Sequence, residues 1–328
     1  MARVLITTVP FGNHNRLPLE LLESIGAQYL VNPIGRRLTE GELCEMVPGT
    51  EVLIAGTEPI TDNVMAAAPE LRLISRVGIG LDSVDLNAAR RRGIQVSYTP
   101  EAPAPAVADL TVGLILTLLR NVQVANAEMH QGEWTRHMGR RVPNVTLGII
   151  GTGRIGTRVL RRLAAFGSPR VLVNDLNPTP KLVEELKLEW VDKETIFREA
   201  DVISLHVPLT DLTRSMVRKD QLLSMKPDAL LINTARGGIV DEADLAHVLE
   251  RGHLAGVAMD VFVDEPYSGP LSQFDRCLLT SHMGSMSIDC RTQMEIEATE
   301  EAIRYLKGLA LQGVVPTHEY QNQQTAWS

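Results

Sequence analysis

The chain has 328 residues, 44% of them hydrophobic, which is enough for about two buried cores at roughly 100–200 residues each. A net charge of -8 excludes nucleic acid as a general partner, and the runs Arg90–Arg92, Arg140–Arg141 and Arg161–Arg162 are too short to offset it. Three scattered cysteines, Cys44, Cys277 and Cys290, with no CxxC pair, exclude a disulfide framework and leave no metal site to expect.

No run of about 18 apolar residues and no leader pattern at Met1-Ala-Arg-Val-Leu is present, so no membrane contact and a cytoplasmic place are expected. In chain order the pattern predicts strand Arg3–Thr8, helix Leu17–Ser24, strand Gln28–Val31, helix Thr39–Val47 and strand Val52–Ala55. Helix Asp62–Ala68, strand Leu71–Arg76, helix Ser83–Arg92 and strand Ile94–Ser97 follow. This alternation predicts an α/β fold with a parallel sheet. Apolar runs such as Val52-Leu-Ile-Ala55 fit strands covered on both faces.

The stretch Tyr98-Thr-Pro-Glu-Ala-Pro-Ala-Pro105 reads as a crossing between domains, because proline fixes φ and removes a donor. One long helix, about Ala106–Gln131, is expected next. Its wide apolar surface makes it a candidate subunit interface. A second series has strands Val145–Ile150, Val171–Asp175, Val202–Val207, Leu230–Thr234, Gly256–Val261 and Leu278–Thr280. A final helix, about Ile288–Lys307, precedes a polar tail from Val314 that is expected to be loose.

Val145-Thr-Leu-Gly-Ile-Ile-Gly-Thr-Gly-Arg-Ile-Gly156 reads as strand, tight turn and helix start. Gly151 suits the turn, Gly153 the approach of a pyrophosphate, and Gly156 close helix–strand packing. The helix N-terminus then offers free N–H groups to phosphates. Asp175 ends the next strand, 19 positions after Gly156. An acid there takes ribose hydroxyls and repels a 2′-phosphate, so NAD is the expected cofactor. The plainer alternative is that Asp175 only begins a turn before Asn177-Pro178.

Three polar residues follow strand ends, where open parallel sheets bind ligands. Arg236 sits in Leu231-Ile-Asn-Thr-Ala-Arg-Gly-Gly-Ile-Val240 and suits bidentate binding of a carboxylate. Asp260 and Glu265 sit in Asp260-Val-Phe-Val-Asp-Glu-Pro266, and His282 follows the last strand. Histidine is the natural acid/base near neutral pH, and a carboxylate on its far nitrogen fixes the tautomer. Spacing does not pair Glu265 with His282, and a histidine at a strand end is often only a polar cap.

Together these motifs, with Arg76-Val-Gly-Ile-Gly-Leu-Asp-Ser-Val-Asp85 and His282-Met-Gly-Ser285, resemble the D-isomer-specific 2-hydroxyacid dehydrogenases, in the branch that includes D-3-phosphoglycerate dehydrogenase. The resemblance covers roughly residues 50–310. It implies two Rossmann/flavodoxin-like parallel-sheet domains, the NAD-binding one at 100–287 inserted in a discontinuous substrate domain at 1–99 and 288–328. It implies Arg236, Glu265 and His282 as catalytic. It implies Arg154 and Ile155 on the pyrophosphate and Asp260 at the nicotinamide carboxamide. Val207, Pro208, Thr213, Thr234, Ala235 and Gly284 are implied as further cofactor contacts.

For the substrate, the resemblance implies Arg76, Arg136 and backbone amides around Val77, Gly78 and Gly80. The substrate so implied is a 2-keto or 2-hydroxy acid, with a phosphorylated or other anionic one such as 3-phosphoglycerate first. A glyoxylate/hydroxypyruvate or lactate type is the alternative. The chain departs from phosphoglycerate dehydrogenases in lacking an arginine near Ala55-Gly56. Arg136 and Arg140–Arg141 are open to two readings, a phosphate contact or dimer-rim charge. Met283 and Met286 are open to two readings, a reshaped pocket or core, and core is the one expected. A homodimer is implied, and the distant alternative to an enzyme is an NAD-sensing corepressor-like binding protein.

Overall fold

The computed structural model describes residues 3–323. They form two compact units, one of the described residues up to Pro103 together with those from Met286, the other Ala104–Ser285. The sequence placed these borders at 99/100 and 287/288.

The first unit runs β1 (Arg3–Ile6), α1 (Leu17–Ser24), β2 (Gln28–Val31), α2 (Glu40–Met46), β3 (Val52–Ala55), α3 (Asp62–Ala67), β4 (Leu73–Arg76), α4 (Leu86–Arg91) and β5 (Gln95–Tyr98). Its sheet is parallel, in the order β2-β1-β3-β4-β5. β3 and β4 are buried along their whole length, as strands covered on both faces must be. Side chains set the helix starts: Thr39 and Glu42 form a capping box on α2, Thr61 caps α3 and Asp85 caps α4.

The second unit begins with α5 (Ala104–Leu119) and α6 (Val122–His130). It continues β6 (Thr146–Ile150), α7 (Arg154–Ala164), β7 (Arg170–Asn174), α8 (Pro180–Leu186), β8 (Glu189–Trp190), α9 (Lys193–Glu199) and β9 (Val202–Leu205). α10 (Lys219–Ser224), β10 (Leu230–Asn233), α11 (Glu242–Glu250), β11 (Gly256–Met259) and β12 (Cys277–Leu279) complete it. The strands form one parallel sheet, β12-β11-β10-β9-β6-β7-β8. Strand order reverses between β6 and β9, and the carboxyl ends there open the crevice in which such sheets bind ligands. The chain then returns to the first unit as α12 (Ile288–Leu306), which packs on α1, β3 and β4, and α13 (Thr317–Asn322).

Three expectations are corrected. The long helix is broken: Asn121 adopts φ 53°, and α5 and α6 are bent by 66°. Asparagine adopts this left-handed conformation more readily than most residues, and its Nδ2 donates to the carbonyl of Met138, 17 residues on, at 3.3 Å. The proline-rich crossing is shorter than read, since α5 already starts at Ala104 with Pro105 in its first turn, where no N–H is needed. The tail is not loose throughout. Val314 bridges Ser97, the buried Val315 donates its N–H to Val96, and α13 follows. The rest of that tail, 324–328, lies outside the described residues.

Candidate active site

The glycine turn joins β6 to α7. Gly151 has φ 98°, and a Cβ there would lie 2.5 Å from the His206 carbonyl oxygen. A Cβ on Gly156 would lie 2.0 Å from the Gly151 oxygen. Both glycines are therefore required by the protein's own packing. Gly153 differs, because no protein atom lies within 4 Å of where its Cβ would stand. It is the N-cap of α7, so the first N–H groups of that helix, which have no intrahelical partners, begin beside this open space. This fits a dinucleotide, whose pyrophosphate needs that space and those donors. Arg154 is exposed and Ile155 half-buried on the same first turn.

Asp175, just past β7, accepts Thr152 N–H at 2.7 Å and the Thr152 hydroxyl at 3.3 Å through Oδ2, and Asn177 N–H at 3.0 Å through Oδ1. It thus makes the turn of the plainer reading and also anchors the glycine loop. Past β9, the Thr213 hydroxyl donates to the Pro208 carbonyl at 2.6 Å and accepts from Thr210 N–H, closing the turn after Val207. Thr234 and Ala235 are buried beyond β10, and Thr234 pairs with Thr111 of α5 at 2.8 Å. Inside the crevice wall, burial pushes the His206 imidazole down to about 3, while its Nε2 meets Ser204 Oγ at 2.9 Å.

Arg236, Glu265 and His282 all lie on loops after neighbouring strands β10, β11 and β12. Glu265 Oε2 meets His282 Nδ1 at 2.8 Å, and Glu265 Oε1 accepts Phe262 N–H at 3.1 Å. Both carboxylate oxygens are therefore committed, one to the imidazole and one to the backbone. The pair, which spacing left open, is formed. His282 Nε2 has no partner among the described residues. His282 has φ 52°, a left-handed conformation uncommon outside glycine. Buried Asp260 holds that loop: Oδ1 accepts from the Thr280 hydroxyl at 2.6 Å and Met283 N–H at 2.8 Å, and Oδ2 accepts Gly284 N–H at 2.9 Å. Burial, then the charges of Asp264, Asp241 and Glu265, hold Glu242 above the usual carboxylate value, against the Val263 amide, which pulls it down.

In the first unit, Arg76 is buried and donates from Nη1 to the Val77 carbonyl. Val77 N–H goes to Ala55 O at 2.9 Å, and Gly78 N–H goes to Thr99 Oγ1 at 2.8 Å. Two of the three amides implied as carboxylate ligands are thus engaged by the protein. Among the described residues, only Gly80 of that set has an amide without a partner. Met283 and Met286 are 42% and 47% exposed, which corrects the core reading. Arg136 is exposed on the arm after α6. Arg140 instead binds Asp228, by Oδ2 at 3.3 Å and the carbonyl at 2.7 Å. Asp228 and Asp201 precede β10 and β9, at the amino edge of the sheet, opposite the crevice.

The D-isomer specific 2-hydroxyacid dehydrogenase, NAD binding domain, matches residues 112–284. The hydroxypyruvate reductase of Thermotoga maritima is 34% identical over 276 residues, 82% of this chain and 89% of that protein. The D-3-phosphoglycerate dehydrogenase of Methanocaldococcus jannaschii is 35% identical over 303 residues, 90% of this chain but 57% of that longer protein. Among solved structures, D-lactate dehydrogenase from Aquifex aeolicus complexed with NAD and lactic acid superimposes with a TM-score of 0.83 at 27% identity, covering 93% of this chain and 96% of that one. Two parallel-sheet α/β units with an NAD-binding crevice define a dinucleotide-dependent oxidoreductase. The chain belongs to the D-isomer specific 2-hydroxyacid dehydrogenase family, and NAD is its cofactor.

Proposed function

We propose that the chain interconverts a 2-keto acid and a D-2-hydroxy acid, with His282 as acid/base, Glu265 as its partner and Arg236 as the cation that binds the substrate carboxylate. The carrying observation is the 2.8 Å contact of Glu265 with His282 Nδ1, which leaves Nε2 for substrate. When bound, NADH supplies the hydride to the keto carbon. His282 Nε2 gives its proton to the carbonyl oxygen, which becomes the hydroxyl, and the imidazolium becomes imidazole. Arg236 holds the carboxylate and polarises the carbonyl. In the reverse direction the same nitrogen takes the hydroxyl proton, and the Glu265 carboxylate stabilises the cation that forms. Asp175 on the adenosine ribose favours NAD over NADP.

A short, unphosphorylated keto acid of the hydroxypyruvate or glyoxylate kind is the substrate reading the geometry supports best. Phosphate recognition needs cations at the crevice, and Arg140 is committed at the opposite edge of its sheet. A phosphorylated substrate is the second reading, favoured by exposed Arg136 and by the phosphoglycerate dehydrogenase relative.

A homodimer completes the proposal, with a changed interface. The apolar face of α5 is spent on its own unit, whereas α6 has no buried residue. Val122 and Met129 on α6, and Trp134 and Met138 on the arm after it, are 52%, 53%, 77% and 94% exposed, apolar side chains that a second copy of the chain would cover. No single helix among the described residues is long and apolar enough to cross a membrane, and the one bent pair that passes by composition, α5 with α6, contains the mostly buried α5. The three free thiols fit a reducing, cytoplasmic place.

NADH oxidation with pyruvate, glyoxylate, hydroxypyruvate and 3-phosphohydroxypyruvate tests this proposal. Preference for the phosphorylated acid overturns the substrate reading in favour of the second one. No turnover with any of the four overturns the reaction.

A further inference from the structure

Asn233 ends β10 and is fully buried, three residues before Arg236. Its side chain is bonded at both ends. Oδ1 accepts Ala235 N–H at 3.1 Å, and Nδ2 donates to the Arg236 carbonyl at 2.9 Å. Its own carbonyl accepts Asp260 N–H at 3.0 Å. The buried side-chain amide therefore folds the turn around the arginine, while the main-chain carbonyl of the same residue ties it to the start of the loop that carries Glu265.

The far side of the turn has no slack. A Cβ on Gly237 would lie 2.0 Å from the Phe262 carbonyl oxygen, 2.1 Å from its carbon and 2.6 Å from Val263 nitrogen. The backbone after Arg236 is pressed directly on the backbone at 262–263. Phe262 N–H is bound by Glu265 and Val263 N–H by Glu242 at 2.8 Å. The guanidinium itself has a bond from Nη1 back to the Ala235 carbonyl at 2.7 Å, so even the resting side chain depends on this turn.

We propose that Asn233 is a positioning residue: it holds 234–237 in the turn that presents Arg236 to the substrate carboxylate. This rests on the reading of Arg236 given above. The physical reason is angular. A guanidinium binds a carboxylate through two parallel hydrogen bonds, and a misplacement of about 1 Å costs on the order of 100-fold in rate. Asparagine suits the position because the turn asks for one acceptor and one donor on a single short side chain. Aspartate has the same shape but offers acceptors only, until it takes a proton.

The test compares Asn233→Asp and Arg236→Lys with the unsubstituted enzyme, measuring KM and kcat for the best keto acid, the Kd for NADH by fluorescence, and Tm. In Asn233→Asp the carboxylate faces the Arg236 carbonyl, two acceptors without a proton between them. KM is expected to rise about tenfold or more at pH 8, with NADH Kd within about twofold of the parent. The ratio of variant to parent KM then shrinks as pH falls towards about 5, because the introduced carboxyl, once protonated, can donate to the Arg236 carbonyl.

A merely structural role gives a different result: a lower Tm and fewer active molecules, with an unchanged KM and a KM ratio that is flat with pH. That result overturns the proposal. If Arg236→Lys leaves KM unchanged, the reading of Arg236 itself fails and this inference falls with it. If Arg236→Lys raises KM and Asn233→Asp does not, only the positioning role fails. Should Asn233→Asp not fold, Asn233→Ser, whose hydroxyl can serve only one of the two bonds, is measured for the same KM rise.

Discussion

Replacing Glu265 by glutamine removes one charge and one acceptor with little change of shape. In the oxidation direction His282 takes the substrate proton and becomes a cation 2.8 Å from Glu265 Oε2. Two unit charges about 4 Å apart attract by about 4 kcal/mol at an effective dielectric constant of about 20. The two side chains are 35% and 22% exposed, so water screens part of this, and about 2 kcal/mol is a fair remainder. Glutamine also has one oxygen for two donors, Phe262 N–H and His282 Nδ1–H. Leaving one of them facing an NH2 group costs about 1 kcal/mol more. The sum, about 3 kcal/mol, corresponds to a kcat for hydroxy-acid oxidation about 100-fold lower. NADH affinity should stay within about twofold, because the cofactor loop is elsewhere on the sheet. The assay is steady-state NADH formation, with fluorescence titration of NADH. A Glu265→Gln enzyme that keeps a third or more of the parent kcat would show that the Glu265 charge does not stabilise the His282 cation.

Three further predictions follow from the same geometry. Gly153→Ala should cost no more than about 1 kcal/mol of stability, because no protein atom lies within 4 Å of the new Cβ and only the poorer N-cap counts against it, yet weaken NADH binding about tenfold or more, and unchanged binding would remove the pyrophosphate from this turn. His206 has a folded-state value of about 3, below the ordinary value of about 6.5, so below that pH the unfolded chain takes a proton that the folded chain refuses. Its stabilising contribution is full above about pH 6.5 and falls by at most about 1.4 kcal/mol per unit towards pH 3. Urea melts at pH 7.5 and pH 5 should show a smaller loss of stability in His206→Asn than in the parent, and equal losses would contradict the burial argument. A double change Trp134→Glu with Met138→Glu should convert a dimer to a monomer in light scattering, and a dimer that survives it places the interface elsewhere.

Much of the fold was readable because its signals are local. The apolar runs at β3 and β10 and the glycine turn with its strand before and helix after each act within a few residues. The break at Asn121 was hidden, because apolar residues continue on both sides and only φ distinguishes a turn from a helix there. Exposure of Met283 and Met286 was hidden too, since methionine composition does not say which way a loop faces. At the site, strand ends located Arg236, Glu265 and His282. The pairing of Glu265 with His282 depends on two loops meeting, which spacing does not encode. Asn233 was inside a motif already read, but its role lies in two hydrogen bonds within its own turn. The amides of Val77 and Gly78 show the converse: a motif can be present while its donors are used by the protein itself.

The most direct test is to assay purified parent and His282→Asn enzymes side by side for NADH oxidation with hydroxypyruvate and glyoxylate, and for NADH binding. Turnover by the parent is expected, with a loss of about 100-fold or more in the variant and NADH affinity within about twofold in both. Comparable turnover by the two enzymes would contradict it, because the proton would then come from a group other than His282.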